Sequence, residues 1–412
     1  VIYLGSVESE FNTEKEYSLK NNYRADIIDR NGDFLVKTVN TINIGINPKL
    51  IIDKQKLLIN LQIIFPEKDF KKVDKKISKK KFFYLEKKVS QEVHERLRML
   101  GDKSIIPEEK ITRVYVQQNL FSHILGQIDD SNNGISGIEK FFDQDLKTRK
   151  EPLKLTVDTN IQFLIREQLL KFQEIFKSQG SAAILMDVNN GDILSMVSLP
   201  DFNLNKRQDI KDLRFINRAT KGVYELGSVF KTFTFAAGIN EKEIEPDTLF
   251  ENLPKNLTCA GRPIREYDNE IPSNLTAEEI LIRSGNIGSV RIAQKIGIEK
   301  FKSFLKKIGI LDKIEFDIEE VGEPLSFKWG KCKLATSSFG HGITTTILQL
   351  AKGYSIIANG GYNIKPTLLK NRDSNLLKER ILNEKISNTV NSTLRKIVSS
   401  KIGTANLADV QG

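Results

Sequence analysis

The segment Gly227-Ser228-Val229-Phe230-Lys231 sets a hydroxyl and an amine three residues apart. On a helix, residues at that spacing share one face, so Ser228 and Lys231 would meet. A lysine desolvated enough to be neutral can take the serine proton, which makes a nucleophile without a histidine. The spacing alone is common, since Ser78…Lys81 and Ser303…Lys306 repeat it in this chain. Ser228 differs in what surrounds it. Upstream, Asp158 or Thr159 caps a helix with Ile161, Leu164, Ile165, Leu169, Phe172 and Ile175 at helical spacing, expected to be core and to end near Gly180. Residues 182–188 and 192–199 read as strands joined at Asn189-Asn190-Gly191, a hairpin signal. A helical stretch from Ser228 through Ile239 follows, and Ile347 to Ala358 is a second apolar helix broken at Gly360-Gly361. This order predicts a sheet with helices packed on it.

The chain has 412 residues, more than one hydrophobic core serves comfortably, so two or three domains are expected. Residues 1–150 are polar and lysine-rich and read as mixed α/β. Tyr23 to Ile28 and Phe34 to Val39 flank a tight turn at Arg30-Asn31-Gly32-Asp33, and Ser90 to Leu100 is a short helix with Ser90 as N-cap and Gly101 as its stop. The formal net charge of +10 is compatible with an anionic neighbour or with a solvated lysine surface. The dense basic run Lys71 to Lys88 lacks the pattern of a nucleic-acid module, so no nucleic-acid partner is expected. His94, His123 and His341 are scattered, Cys259 and Cys332 form no metal-ligand pair, and neither metal nor cofactor is expected. One disulfide is open to the two cysteines. No apolar run approaches the ~18 to 20 residues that span a bilayer. The chain starts at Val1, so a segment upstream of it is expected to have been removed.

Two further elements follow Ser228 in order: Ser284-Gly285-Asn286, then Lys401-Ile402-Gly403-Thr404. Together they resemble the Ser-x-x-Lys, Ser-x-Asn, Lys-Thr-Gly signature of penicillin-binding proteins and serine β-lactamases. Ser131-Asn132-Asn133 also fits the middle element but lies upstream of the nucleophile. The flanks carry the resemblance further. Asn217-Arg218-Ala219 and Tyr224-Glu225-Leu226-Gly227 are similar to the approach to the nucleophile in class B penicillin-binding proteins, with Leu226 where that family usually has proline. Residues 187–196 resemble its first two transpeptidase strands. Arg24 to Gly32, Arg113-Val114-Tyr115 with His123-Ile124-Leu125-Gly126, and Gly134 to Glu139 resemble the three boxes of its non-catalytic pedestal. Within class B, Ser338-Phe339-Gly340-His341-Gly342 and Phe82-Phe83-Tyr84-Leu85 are similar to the division-type, septal transpeptidases; His341 is not read as catalytic.

The resemblance implies an α+β, multidomain chain. A mixed α/β pedestal (dimerisation-like) would span 1–150. A serine β-lactamase-like transpeptidase domain, an antiparallel sheet flanked by helices, would span 151–412. It also implies a D,D-transpeptidase that cross-links peptidoglycan stem peptides in septal wall synthesis and is acylated by β-lactams. Ser228 would attack the penultimate D-alanine carbonyl, with Lys231 as base, its pKa lowered by burial and by Lys401. Ser284 would relay a proton, Asn286 would hold Lys231 and the substrate amide, and Lys401 would attract the terminal carboxylate. Backbone N–H groups of Ser228 and Thr404 would form the oxyanion hole, and Gly403 would leave room for a substrate strand. The family places such a chain in the bacterial inner membrane through one N-terminal anchor, its bulk periplasmic, beside divisome proteins that include a polytopic glycosyltransferase.

Two departures stand out. Ile402 replaces the first threonine of the third element, removing a hydroxyl worth ~1.5 to 3 kcal/mol toward a charged group. The chain ends eight residues past Thr404, at Gly412, where the family continues with two strands and a helix, so the domain is expected to be a fragment or degenerate. Three rivals remain: a catalytically impaired scaffold of the division complex, a β-lactam-sensing receptor domain, and a soluble β-lactamase that would not need the pedestal.

Overall fold

A 13-residue strand, β2 (Phe34–Ile46), organises the N-terminal part of the computed structural model, which describes residues 23–206, 213–370 and 379–410. The described chain divides into two units, one of residues 23–28, 34–117 and 144–153, the other of 29–33, 118–143 and 154 onward. In the first, β2 pairs antiparallel with β1 (Ile27–Ile28), β3 (Phe83–Val89) and β4 (Ile105–Tyr115), and β1 continues the sheet to β5 (Leu153–Lys154). The expected strand after Asp33 is thus twice as long as the apolar alternation suggested. Gly32, at φ +99°, takes the backbone conformation that the Asn-Gly turn requires.

Three helices cover this sheet: α1 (Lys54–Ile64), α2 (Phe70–Ser78) and α3 (Gln91–Met99). Each starts at a residue whose side chain accepts a backbone N–H of the first turn: Asp53, Asp69 and Ser90. Ile42, Ile44, Ile46, Leu61, Ile77 and Leu97 lie in their shared core. Val73 and Ile77 are the buried stripe of α2, and Lys71, Lys72, Lys75 and Lys76 are exposed on its other side. The first part of the basic run, Lys71 to Lys76, is therefore a solvated helix face.

In the second unit, α4 (Thr159–Phe176) begins at Asp158, whose carboxylate accepts from the N–H groups of Asn160 and Ile161. The antiparallel hairpin β6 (Ser181–Met186) and β7 (Ile193–Leu199) follows, and isolated bridges join Asp192 to Thr367 and Leu155 to Leu369. Gly191 is required at the turn: φ is +82°, and a Cβ would sit 2.4 Å from the Lys365 carbonyl oxygen. One buried polar side chain docks α4 on β7. The Gln162 amide donates to Leu120 O and Met196 O and accepts from Ser195 Oγ and Met196 N.

The expectation that the apolar residues of α4 are core is corrected here. Ile161, Ile165 and Leu169 are half-buried, whereas Leu164, Phe172 and Ile175 are 60%, 53% and 67% exposed. The helix rests on its Gln162 side, and its apolar side stays open among the described residues.

The main core surrounds α5 (Lys231–Asn240), whose residues are buried from Lys231 through Ile239. After a hairpin of β8 (Asn256–Cys259) and β9 (Arg262–Arg265), helices α6 (Ala277–Ile282), α7 (Asn286–Ile296), α8 (Ile298–Lys307), α9 (Lys331–Ser337), α10 (Ile347–Ala358) and α11 (Glu384–Ser399) contribute to it. A disulfide joins Cys259 at the end of β8 to Cys332 on α9. No helix among the described residues is long and apolar enough to cross a membrane.

Candidate active site

Ser228 lies in a 3₁₀ turn, Gly227–Phe230, that runs directly into α5. It is exposed, while Lys231, one turn on, is buried in the first turn of the helix at 2% exposure. The backbone behind the serine is held by the segment 338–342. Gly227 N donates to Gly340 O at 3.3 Å, and a Cβ on Gly340 would fall 2.1 Å from Gly227 O. Gly340 is therefore required twice, for this approach and for its φ of +78°. His341 leaves that turn toward solvent, stacks on Phe339 and pairs with Glu225 at 2.9 Å. Tyr354 of α10 steadies the start of α5, donating to Val229 O at 2.6 Å and meeting Thr232 Oγ1 at 2.9 Å.

Lys231 Nζ has three acceptors, one for each ammonium proton: Ser228 Oγ at 3.2 Å, Ser284 Oγ at 2.9 Å and Ser284 O at 2.5 Å. Burial lowers its pKa from 10.5 to about 8, and the negative charge of Glu266 opposes that shift. The contribution expected from Lys401 is not found. Ser284 sits at φ +52°, left-handed backbone that costs a non-glycine residue ~1 kcal/mol or more. That conformation turns both its hydroxyl and its carbonyl to the same ammonium.

Ser228, Lys231 and Ser284 are thus brought together as the sequence predicts, and the remaining predicted residues are not. The Asn286 side-chain amide donates to Arg265 O at 2.8 Å, and its expected bond to Lys231 is absent. Lys401-Ile402-Gly403-Thr404 forms turns after α11, with Lys401 exposed, and no strand. A Cβ on Gly403 would lie 2.1 Å from Ile397 O, so this glycine serves the close return of the chain onto α11, not a substrate strand. The N–H of Thr404, expected as an oxyanion donor, is aimed at Ile282 O at 3.4 Å. Ile402 is 38% exposed.

Sequence reasoning missed Glu266. Its carboxylate accepts from Asn286 N at 2.6 Å and Ile287 N at 2.9 Å, capping α7, whose own N-cap, Gly285, has no side chain to offer. A lone glutamate 20 residues upstream carries no spacing signal. Among the described residues no cluster of three His, Cys, Asp or Glu side chains could hold a metal ion.

An exposed serine beside a buried, partly deprotonated lysine, with a second serine closing the triangle, defines a serine acyl-transfer site that works without histidine. Comparison with known proteins agrees. Residues 181–412 match the penicillin-binding protein transpeptidase domain and residues 20–171 the penicillin-binding protein dimerisation domain. The chain belongs to the penicillin-binding protein transpeptidase family, and the pairing of these two domains accords with the class B resemblance.

Relatives include the probable peptidoglycan D,D-transpeptidase FtsI of Caulobacter vibrioides, 27% identical across 94% of this chain and 67% of the relative. The peptidoglycan D,D-transpeptidase FtsI of Buchnera aphidicola is 28% identical across 91% and 72%. Stage V sporulation protein D of Bacillus subtilis is 26% identical across 94% and 67%.

Proposed function

We propose that this protein is a serine-type D,D-transpeptidase that cross-links peptidoglycan stem peptides during septal wall synthesis and is acylated by β-lactams. One observation carries the reading: the Lys231 amine, buried and lowered to about pKa 8, lies 3.2 Å from Ser228 Oγ. Neutral Lys231 takes the Ser228 hydroxyl proton as Oγ bonds to the penultimate D-alanine carbonyl carbon. The carbonyl π electrons move to oxygen and return as the C–N bond to the terminal D-alanine breaks. Ser284 Oγ, 2.9 Å from the same ammonium, passes the proton to the departing amine. An acceptor amine of a neighbouring stem peptide then attacks the acyl carbon and loses its proton to Lys231. As the acyl–Oγ bond breaks, the Lys231 ammonium returns that proton to Oγ and regenerates Ser228.

In this reading residues 151–412 are the transpeptidase domain and 1–150 the pedestal. Lys401 and Thr404 serve the substrate carboxylate and oxyanion only after the turn 400–404 moves in, since Thr404 N is otherwise engaged with Ile282 O. The protein is anchored in the inner membrane with its bulk in the periplasm, and its pedestal meets divisome proteins that include a polytopic glycosyltransferase. The names of relatives, peptidoglycan D,D-transpeptidases among them, support the transpeptidase part of this reading.

The exposed Lys401 and the hydroxyl lost at Ile402 favour a second reading, a scaffold member of the division complex that does not acylate. Incubation with a fluorescent penicillin separates the two. A covalent label on the wild type that Ser228→Ala abolishes supports the transpeptidase; no label, or one that survives Ser228→Ala, overturns it. Persistence of the label for hours excludes a β-lactamase, which deacylates quickly.

A further inference from the structure

Three consecutive residues at the end of β9 grip the turn that carries Ser284. Arg265 O accepts the Asn286 side-chain amide at 2.8 Å. Glu266 takes the backbone N–H groups of Asn286 and Ile287 on its two carboxylate oxygens, at 2.6 and 2.9 Å. Tyr267 Oη donates to Arg283 O at 3.1 Å. The contacts fall on both sides of Ser284 and none touches its side chain. They fix the backbone of 283–287 around a residue that must hold φ at +52°. The clamp is itself anchored. Ile264 is buried in the main core, and β8, paired with β9, is tied by the Cys259–Cys332 disulfide to α9.

We propose that Glu266 is a positioning residue: by gripping Asn286 N and Ile287 N, its carboxylate holds the turn that offers Ser284 to Lys231. The role rests on the transpeptidase reading only for its effect on acylation. Two negatively shared hydrogen bonds at a helix N-terminus are strong ones, because the carboxylate also meets the positive end of the α7 dipole. The negative charge of the same carboxylate also favours the charged form of Lys231. The other charged groups of the cluster are Arg283, beside the turn, and Asp268, which together with Glu266 acts on Tyr267. Glu266 thus sets both where Ser284 stands and how readily Lys231 gives up its proton.

The test compares wild type with Glu266→Gln, which keeps the shape and removes the charge, and Glu266→Asp, which keeps the charge on a shorter stem. Three quantities are read: the rate of labelling by fluorescent penicillin from pH 6 to 10, the ¹³Cε titration of Lys231 by NMR, and hydrogen exchange of the Asn286 and Ile287 amides. In Glu266→Gln the Lys231 inflection moves to lower pH and both amides exchange faster. Labelling at pH 9, where Lys231 is mostly neutral in either protein, falls about tenfold, the size of one charged hydrogen bond lost. Glu266→Asp brings the inflection back toward the wild-type value.

An unmoved inflection overturns the proposal even if the amides exchange faster, since Glu266 would then be a helix cap and nothing more. Unchanged labelling at pH 9 overturns it too. If the wild type takes no label, the transpeptidase reading falls, and the Lys231 titration and amide exchange still decide the role of Glu266.

Discussion

Acylation of Ser228 should depend on pH through Lys231, and the structure sets where. The amine ordinarily titrates at 10.5 and is lowered to about 8 by burial, with Glu266 opposing. At pH 7 an ordinary lysine is ~0.03% neutral and one at about 8 is ~9% neutral, so burial raises the supply of base about 300-fold. Between pH 7 and 9 the neutral fraction climbs about tenfold, to ~90%. The expected profile is therefore a single rise with its midpoint near 8 and a plateau above 9. Stopped-flow labelling with a fluorescent penicillin measures it, with the reagent's own hydrolysis subtracted at each pH. A flat profile across this range, or a midpoint near 10.5, would refute Lys231 as the base. A rise that appears only after the third element is altered would refute it as well.

Other outcomes follow from the same contacts. Lys231→Met should stabilise the fold near pH 7, because a cation held down from 10.5 to about 8 carries ~3 kcal/mol of burial cost at ~1.36 kcal/mol per pH unit, offset in part by three lost hydrogen bonds. Wild type binds fewer protons folded than unfolded between about pH 8 and 10.5, so its stability rises there and the advantage of the variant shrinks; urea melts at pH 7 and 10 measure both. Gly340→Ala should cost at least about 2 kcal/mol in the same melts and slow labelling, through its φ of +78° and the 2.1 Å approach to Gly227 O. Reducing the Cys259–Cys332 link, which spans 73 residues, should cost about 4 kcal/mol in the chain-entropy picture, read as a lower Tm in dithiothreitol that Cys259→Ser abolishes.

Local features of this fold could be read from local sequence. Ser90 caps α3 and Asp158 caps α4 because a short oxygen side chain before a periodic run has one low-energy use. Ser228 and Lys231 meet because a helical turn fixes their separation. The rest depends on which surfaces find each other. Periodicity showed that α4 has an apolar side, but not that Gln162 would be the side chain that docks it. Asn286 belongs to a motif, yet its amide turns to a carbonyl supplied by a strand 21 residues earlier. Glu266 had no motif at all, and the disulfide partner of Cys259 was one of several fates open to two distant cysteines. The third element was given its carboxylate and oxyanion roles from its family likeness, while its own residues, Lys401 to Thr404, follow α11 as turns.

The open side of α4 has a practical consequence for anyone who handles this protein. Phe163, Leu164, Phe172, Ile175 and Phe176 are each more than half exposed, and Phe172 stacks on Phe176 along the same edge. A stripe of that kind recruits apolar reporter dyes to a fully native molecule. Bound 8-anilinonaphthalene sulfonate, normally taken as the mark of a molten globule, would here report an intact helix, and near-ultraviolet dichroism is the observable that separates the two.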